Sequence, residues 1–350
     1  MKKNWWKILG VLLLLYTILA GMLVPLKPGI TRINPNRAAA GESVTISING
    51  YNTHFAQGNE GIRAWLKLDD RRSLEANNIF VENDGLMHAT FALPQNLPST
   101  DKVIPMSLIV DNSIDGASVL PDAVFISQSQ IDSVQGARLM PPRPIDGLNS
   151  FEGMTFPYRN ILVESIRNMY FHVPLWFGMI LIFALAVYYN WRYLQSGDAN
   201  ADLKGLSLIR VGVLYGILGL ATGALWARFT WGQYWSWDVK QNMSAVAMLI
   251  YLAYFVLRGA MDDREKQARL SAVYSIFAFA ALIPLLFVIP RLTDSLHPGN
   301  GGNPGFGGDD LDNTMRMVFY PAIIGWTLFG LWIAQLFYRK DRLLEKLYEN

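Results

Sequence analysis

Long runs without charged side chains recur along this chain of 350 residues. Six of them are long enough to cross a bilayer: Ile8–Leu26, Val173–Asn190, Val211–Ala227, Gln241–Leu257, Ser271–Pro290 and Met317–Tyr338. A spanning helix needs about 20 mostly apolar residues, and lipid offers no hydrogen-bond partner to irregular backbone. The pattern therefore predicts six transmembrane helices.

The first run follows Lys2, Lys3 and Lys7. A cleaved signal peptide is an alternative interpretation of this segment, but the length of the apolar run favours an uncleaved anchor.

Basic residues indicate how these helices are oriented, because Lys and Arg in short loops stay on the cytoplasmic side. They cluster before the first run, between the second and third, between the fourth and fifth, and after the sixth. All four clusters fall on one side if six helices alternate. We therefore expect both termini in the cytoplasm, and the segments near 27–170, 228–240 and 291–316 outside.

Residues 28–130 have a different pattern, in which apolar and polar residues alternate with the period of a strand, as in Glu42–Gly50. Short alternating segments separated by turns predict an immunoglobulin-like β-sandwich, and the opening of this region resembles modules of the IPT/TIG type. The predicted fold class is an α-helical polytopic membrane protein with six transmembrane helices and an inserted extracytoplasmic β-sandwich.

The predicted domains follow from these patterns. They are an anchor over 1–27, the β domain over 28–130, a linker that returns to the membrane over 131–170, a five-span domain over 171–340, and a cytoplasmic tail over 341–350. We interpret the β domain as a docking module for an exported partner, or as an insertion of unknown purpose.

Composition excludes several classes of protein. The chain has no Cys, which rules out disulfides, thiolate metal sites and covalent haem attachment through Cys on this chain. Its formal net charge is only +2, so no strongly basic field points to nucleic acid.

Tryptophan is concentrated in one predicted outer loop, within residues 226–240. Trp226, Trp231, Trp235 and Trp237 lie there, the last directly before Asp238. Such clustering exceeds an ordinary aromatic belt at a membrane surface, and indole faces suit a flat aromatic ligand.

Two of the four histidines, His172 and His297, fall at the same outer side. Neutral imidazole is a common metal ligand, and haem iron accepts axial His. These features together predict haem held between His172 and His297, with Trp side chains against the ring.

The segment W-G-Q-Y-W-S-W-D at 231–238 resembles the signature of the tryptophan-rich WWD family of haem-handling proteins in cytochrome c biogenesis. Six spans and a His on either side of the loop resemble its cytochrome c maturation protein C branch, CcmC. The resemblance implies that His172 and His297 bind haem b axially, without a covalent bond and transiently. Arg167 matches a position that is often Arg in this family, whereas Lys240 replaces a frequent Arg.

The resemblance also implies a place and partners: the bacterial inner membrane, a periplasmic haem chaperone that receives haem, and an ATP-binding transporter complex. We expect haem binding and transfer rather than enzymatic catalysis. A ligase-type cytochrome c synthase component is the main alternative, and a small-solute membrane transporter is a weaker one.

Several residues admit two interpretations. Asp238 with Gln241 resembles a helix capping box, but Asp238 could instead orient a ligand imidazole. Gly232 permits either a tight turn or close approach of haem. Arg167 could bind a haem propionate or reach the lipid headgroups. Four other outer cations have the same two options: Arg228, Lys240, Arg291 and Arg316.

Overall fold

The computed structural model describes residues 4–297 and 311–348. The chain forms two compact units. The first contains residues 4–24 and the described residues from Glu164 onward, and it is helical. The second is Pro25–Val163, and it contains every strand described.

Six helices of the described residues are long and apolar enough to cross a membrane, in agreement with the six charge-free runs. Their bounds are α1 Trp5–Leu23, α3 His172–Ser196, α4 Ala199–Trp231, α5 Val239–Gly259, α6 Arg264–Ile283 and α7 Asn313–Tyr348. The short helix α2, Ser133–Leu139, belongs to the second unit and lies within the predicted linker. A 3₁₀ segment, Val163–Tyr170, leads into α3.

Glycines on one face of α4 pack against α3 in antiparallel register. Gly205, Gly212, Gly219 and Gly223 face Asn190, Phe183, Trp176 and His172, respectively. A Cβ atom at Gly219 would lie 2.8 Å from the Trp176 ring, so only glycine allows this approach. Small residues at such spacing let two membrane helices pack closely. We call this contact between α3 and α4 the glycine seam.

Proline changes the C-terminal end of the α6 span. Beyond Ile283 the helix continues as a π segment, Pro284–Val288, and then as a 3₁₀ turn, Ile289–Arg291. Proline has no N–H to donate and disturbs the regular ladder, which explains the change of helix type at Pro284. The span therefore ends close to the predicted limit at Pro290, and the chain passes into the segment that contains His297.

Nine strands build two sheets in the second unit. Their bounds are β1 Gly29–Asn34, β2 Arg37–Ala39, β3 Ser43–Tyr51, β4 Arg63–Lys67, β5 Ser73–Glu75, β6 Asn78–Asn83, β7 Leu86–Ala92, β8 Val103–Asn112 and β9 Gly116–Ser127. One sheet has the order β1-β3-β7-β6 and the other β2-β9-β8-β4-β5. Inward side chains such as Ile46, Phe91 and Val124 are fully buried between them.

The predicted fold class is wrong as stated. Six apolar helices are present, but 19% of the structure is strand, and the β part includes a curled half-barrel, which a β-sandwich fits only in part. Pairing of β8 with β9 shifts register between Met106 and Leu108, and pairing of β1 with β3 shifts between Ile30 and Arg32. Such bulges bend a strand and increase its twist. In addition, β2 pairs with β9 in parallel rather than antiparallel.

Candidate functional site

His172 opens α3 and lies against α4 at one end of the glycine seam. Its Nδ1 is 3.0 Å from the Gly219 carbonyl oxygen and 3.1 Å from the Thr222 hydroxyl. A carbonyl only accepts hydrogen bonds, so Nδ1 carries the proton and Nε2 keeps its lone pair. A Cβ at Gly223 would lie 2.6 Å from His172 Cε1, which shows how closely the imidazole is held.

His297 is oriented in the same way by Asp238. Its Nδ1 donates to Asp238 Oδ1 at 2.8 Å, and the carboxylate is only 2% exposed. Again the partner only accepts, so Nε2 keeps its lone pair. Neither Nε2 makes a hydrogen bond to any residue within 4–297 and 311–348. Imidazoles that donate from Nδ1 to a carbonyl or carboxylate and keep Nε2 available have the arrangement typical of metal-binding His.

Asp238 combines the two roles that its sequence position suggested. It is the N-cap of α5 and accepts from the Lys240 N–H at 2.9 Å, and it also accepts from Leu296 N–H at 2.8 Å and from the Ser295 hydroxyl at 3.1 Å. Burial opposes ionisation, but the hydrogen bonds from His297, Leu296 and Ser295 outweigh it. The pKa of the Asp238 carboxyl therefore lies well below its usual range.

Gln241 does not complete a capping box. Its Oε1 accepts instead from the Ser236 N–H at 2.9 Å and the Ser236 hydroxyl at 3.0 Å, and its Nε2 donates to the Tyr234 carbonyl at 3.3 Å. Gln241 is buried. It therefore anchors the tryptophan-rich loop to the first turn of α5.

Trp226 and Trp231 surround His297. Their ring centroids lie 6.0 Å and 4.8 Å from the imidazole centroid, and 5.0 Å from each other. Trp226 also continues the face of α4 that carries Gly219, Thr222 and Gly223, because residues three and four apart are neighbours on a helix. One face of α4 thus links the surroundings of His172 to those of His297.

The remaining loop residues lie differently. Trp235 is half-buried, and Trp237 is 78% exposed with a left-handed backbone, φ 59°. Gly232 ends α4 with φ 81°, and a Cβ there would meet no described atom within 4 Å. Gly232 therefore forms the turn that ends α4, because glycine adopts a left-handed conformation without strain.

Arg167 contacts α1 rather than the two histidines. Its guanidinium donates to the carbonyl oxygens of Gly21 at 2.8 Å and Val24 at 2.7 Å, and it pairs with Glu164. These carbonyls belong to the C-terminal end of α1, where helix carbonyls lack internal partners and a cation is favourable. A haem role for Arg167 stays a prediction.

An open depression of about 430 Å³ adjoins this cluster. Apolar and aromatic side chains form much of its lining, including Phe171, Leu225, Trp226 and Phe229, with Arg167 at its edge. Its volume lies within the range of about 300–1,000 Å³ usual for small-molecule and cofactor sites. Neither His172 nor His297 lines this depression, and Trp226 is the residue that it shares with the cluster around His297.

Comparison with known proteins identifies the family. The family model CcmC, described as Heme exporter protein C, matches residues 154–349, more than half of the chain. The chain belongs to this family. The match covers the two histidines, the tryptophan-rich loop and the five helices α3–α7, but none of the nine strands.

The chain is also similar to individual proteins of haem export and cytochrome c biogenesis. Heme exporter protein C of Bradyrhizobium diazoefficiens is 27% identical over 47% of this chain and 62% of its own length. The protein of the same name from Haemophilus influenzae is 26% identical over 52% of the chain and 73% of its own length. A cytochrome c biogenesis protein CcsA from Trachelium caeruleum is 27% identical over 39% of the chain and 42% of its own length.

With the family shown and six apolar helices present, the chain is a multi-pass CcmC-type protein of the inner membrane. The matched region spans less than two thirds of the Bradyrhizobium relative.

Sequence reasoning missed the residues that hold the predicted ligands. Thr222 and Gly219 bind His172, and Ser295 and Leu296 fasten Asp238 beside His297. Glycines three and four residues apart in α4 are a signal that could have indicated a packed face there. No local pattern connects Asp238 with Ser295, because 57 residues separate them.

Proposed function

We propose that this chain binds haem at the outer face of the bacterial inner membrane, through His172 and His297, and delivers it to a periplasmic haem chaperone for cytochrome c biogenesis. The haem would be of b type, held without a covalent bond and transiently, as cargo rather than as a resident cofactor. One observation carries this proposal: each imidazole donates from Nδ1 to an acceptor and keeps Nε2 available, and Trp226 and Trp231 lie beside that of His297. The name of the relatives, Heme exporter protein C, supports haem as the ligand.

The protein's own residues would divide the work. His172 and His297 supply the axial donors, and Asp238 and Gly219 orient the two rings. Trp226 and Trp231 offer indole faces to a flat ring. Trp235, Trp237 and Gly232 shape the loop, and Arg167 would reach a propionate only by giving up contacts with α1. We propose an ATP-binding transporter complex as the second partner.

Absorption spectra of the full-length protein, purified from haem-replete cells, test this function. We expect the spectrum of a low-spin, six-coordinate b-type haem, and a pyridine assay that reports haem with both vinyl groups unmodified. Haem-free protein from such cells, still haem-free after incubation with excess haemin, would contradict the proposal.

A ligase-type role is a second candidate, supported by the similarity to the CcsA protein. The chain has four His, at positions 54, 88, 172 and 297. Among these, His172 and His297 alone belong to the helical unit, and both serve the proposed site. Covalent transfer of haem to apocytochrome c by the purified protein alone would favour this candidate over delivery to a chaperone.

The proposed orientation places both termini in the cytoplasm and the tryptophan-rich loop outside. Because the chain has no Cys, single cysteines can report sidedness without background. In intact spheroplasts, a membrane-impermeant maleimide is expected to label Gln233→Cys in the loop after α4, and to leave Asp262→Cys in the loop after α5 unlabelled until the membrane is opened. Both positions are exposed, so the reverse pattern would overturn the orientation.

A further inference from the structure

The two imidazoles differ in the charge of their hydrogen-bond acceptors. His297 donates to the Asp238 carboxylate at 2.8 Å, in a position where the carboxylate is 2% exposed. His172 donates to neutral acceptors, the Gly219 carbonyl at 3.0 Å and the Thr222 hydroxyl at 3.1 Å. Hydrogen bonds to an ionised acceptor are roughly twice as strong as neutral ones, and a carboxylate partner makes a ligand imidazole more basic. His297 is therefore the stronger electron donor.

The acceptors also differ in how firmly they hold the segment around each ligand. Asp238 binds the imidazole of His297 together with the Leu296 N–H and the Ser295 hydroxyl. Ser295 Oγ in turn accepts from the His297 N–H at 3.2 Å. The buried Asp238 carboxylate thus holds the side chain of His297 directly and its backbone through Ser295.

The acceptors of His172 have competing partners. The Thr222 hydroxyl lies 2.8 Å from the Leu218 carbonyl and 3.1 Å from the Gly219 carbonyl, to either of which it can donate. Gly219 lies inside α4, where its carbonyl faces the backbone N–H of Gly223 one turn later. The bond to His172 is therefore one of several at a neutral oxygen. Asp238 Oδ1 is shared as well, since it also accepts from the Lys240 N–H and the Ser295 hydroxyl, but it carries the charge of a carboxylate.

We propose that the two ligands are unequal: His297 is the retaining ligand of the haem, and His172 is the ligand that gives way first when the haem leaves. This inference rests on the proposed function, and it adds the order in which the two ligands release the haem. The partner that receives the haem would present its own lone-pair donor, such as an imidazole or phenolate, on the side that His172 vacates.

Single glycine variants of the two ligands measure which one retains haem. We expect full-length His172→Gly from haem-replete cells to keep at least about tenfold more haem than His297→Gly, in line with the 10–100-fold effects of carboxylate partners on metal affinity. Added imidazole should restore the six-coordinate spectrum of His172→Gly, which shows that its fold is intact. Greater retention by His297→Gly, or equal retention, would overturn the inference.

The reduction potential gives an independent readout, because a more basic ligand stabilises the ferric state. Asp238→Asn keeps a good N-cap residue but removes the charge. In this variant we expect the preference for ferric over ferrous haem to fall about tenfold. For a one-electron couple, that change raises the reduction potential of the haem by about 59 mV. Thr222→Val should change the potential less.

Asp263→Asn is the matched control, since Asp263 caps α6 through the N–H groups of Glu265 and Lys266 and contacts neither ligand. An unchanged potential in Asp238→Asn, or an equal shift in Asp263→Asn, would overturn the inference. If neither glycine variant alters the haem spectrum, the ligand assignment itself fails, and with it the proposed function. The two failures are thus distinguishable.

Discussion

Protein in which His172 and His297 are both replaced by alanine is expected to carry haem only at the background level of non-specific binding. Removing a single outer-shell partner of a metal ligand already costs about 10–100-fold in affinity, and this variant loses both proposed donors. Trp226 and Trp231 would still contact each other, but stacking without axial ligation leaves the iron unbound. Haem content per protein, measured by the pyridine assay after purification, checks this result.

His88→Ala is the matched control for this double variant. His88 lies in the β unit, where its imidazole is 3.0 Å from the Ser47 hydroxyl and 3.3 Å from the Glu82 carboxylate. It therefore resembles the proposed ligands in having polar partners on its ring nitrogens, but it belongs to the other unit. We expect its haem content to equal that of the wild type. A double variant that keeps the wild-type spectrum would refute the ligand assignment.

Gly223→Ala is expected to abolish six-coordinate haem although it adds only one methyl group. The new Cβ would lie 2.6 Å from His172 Cε1, a separation that real Cβ contacts essentially never show. The imidazole must then move, and its hydrogen bonds with Gly219 and Thr222 must break or lengthen. Because alanine is about 1 kcal/mol more favourable than glycine inside a helix, loss of haem would not reflect a weaker α4.

Gly259→Ala is a suitable control, since a Cβ at Gly259, the last residue of α5, would have no described atom within 4 Å. We expect this variant to bind haem like the wild type. For Gly223→Ala we expect a five-coordinate or mixed-spin spectrum at normal levels of protein in the membrane. An unaltered six-coordinate spectrum would mean that His172 can move without loss of ligation, and that the seam does not position it.

Much of the helical unit could be predicted from the chain alone. Charge-free runs predict spanning helices because lipid cannot satisfy exposed backbone groups, and six described helices agree with six runs. The signature around Trp231 and Asp238 was enough to indicate the CcmC family, which the comparison confirms. In the β unit, the alternation of apolar and polar residues indicated where several strands lie, such as β3 and β8. It did not indicate the bulges that curl a sheet, because a bulge adds one residue to a strand without changing its composition.

The sequence by itself determined the number of helices that are long and apolar enough to span a membrane, and the family, because hydropathy, charge and a compact motif are local properties. Only the tertiary structure decided which groups meet. Asp238 reaches a histidine 59 residues away, and His172 meets an α4 carbonyl 47 residues away. The guanidinium of Arg167 likewise binds carbonyl oxygens at the end of α1 that lie 143 and 146 residues away in the sequence. Pairings over such separations depend on how helices pack, and helix packing follows surface shape, such as the glycine seam, rather than any single stretch of sequence.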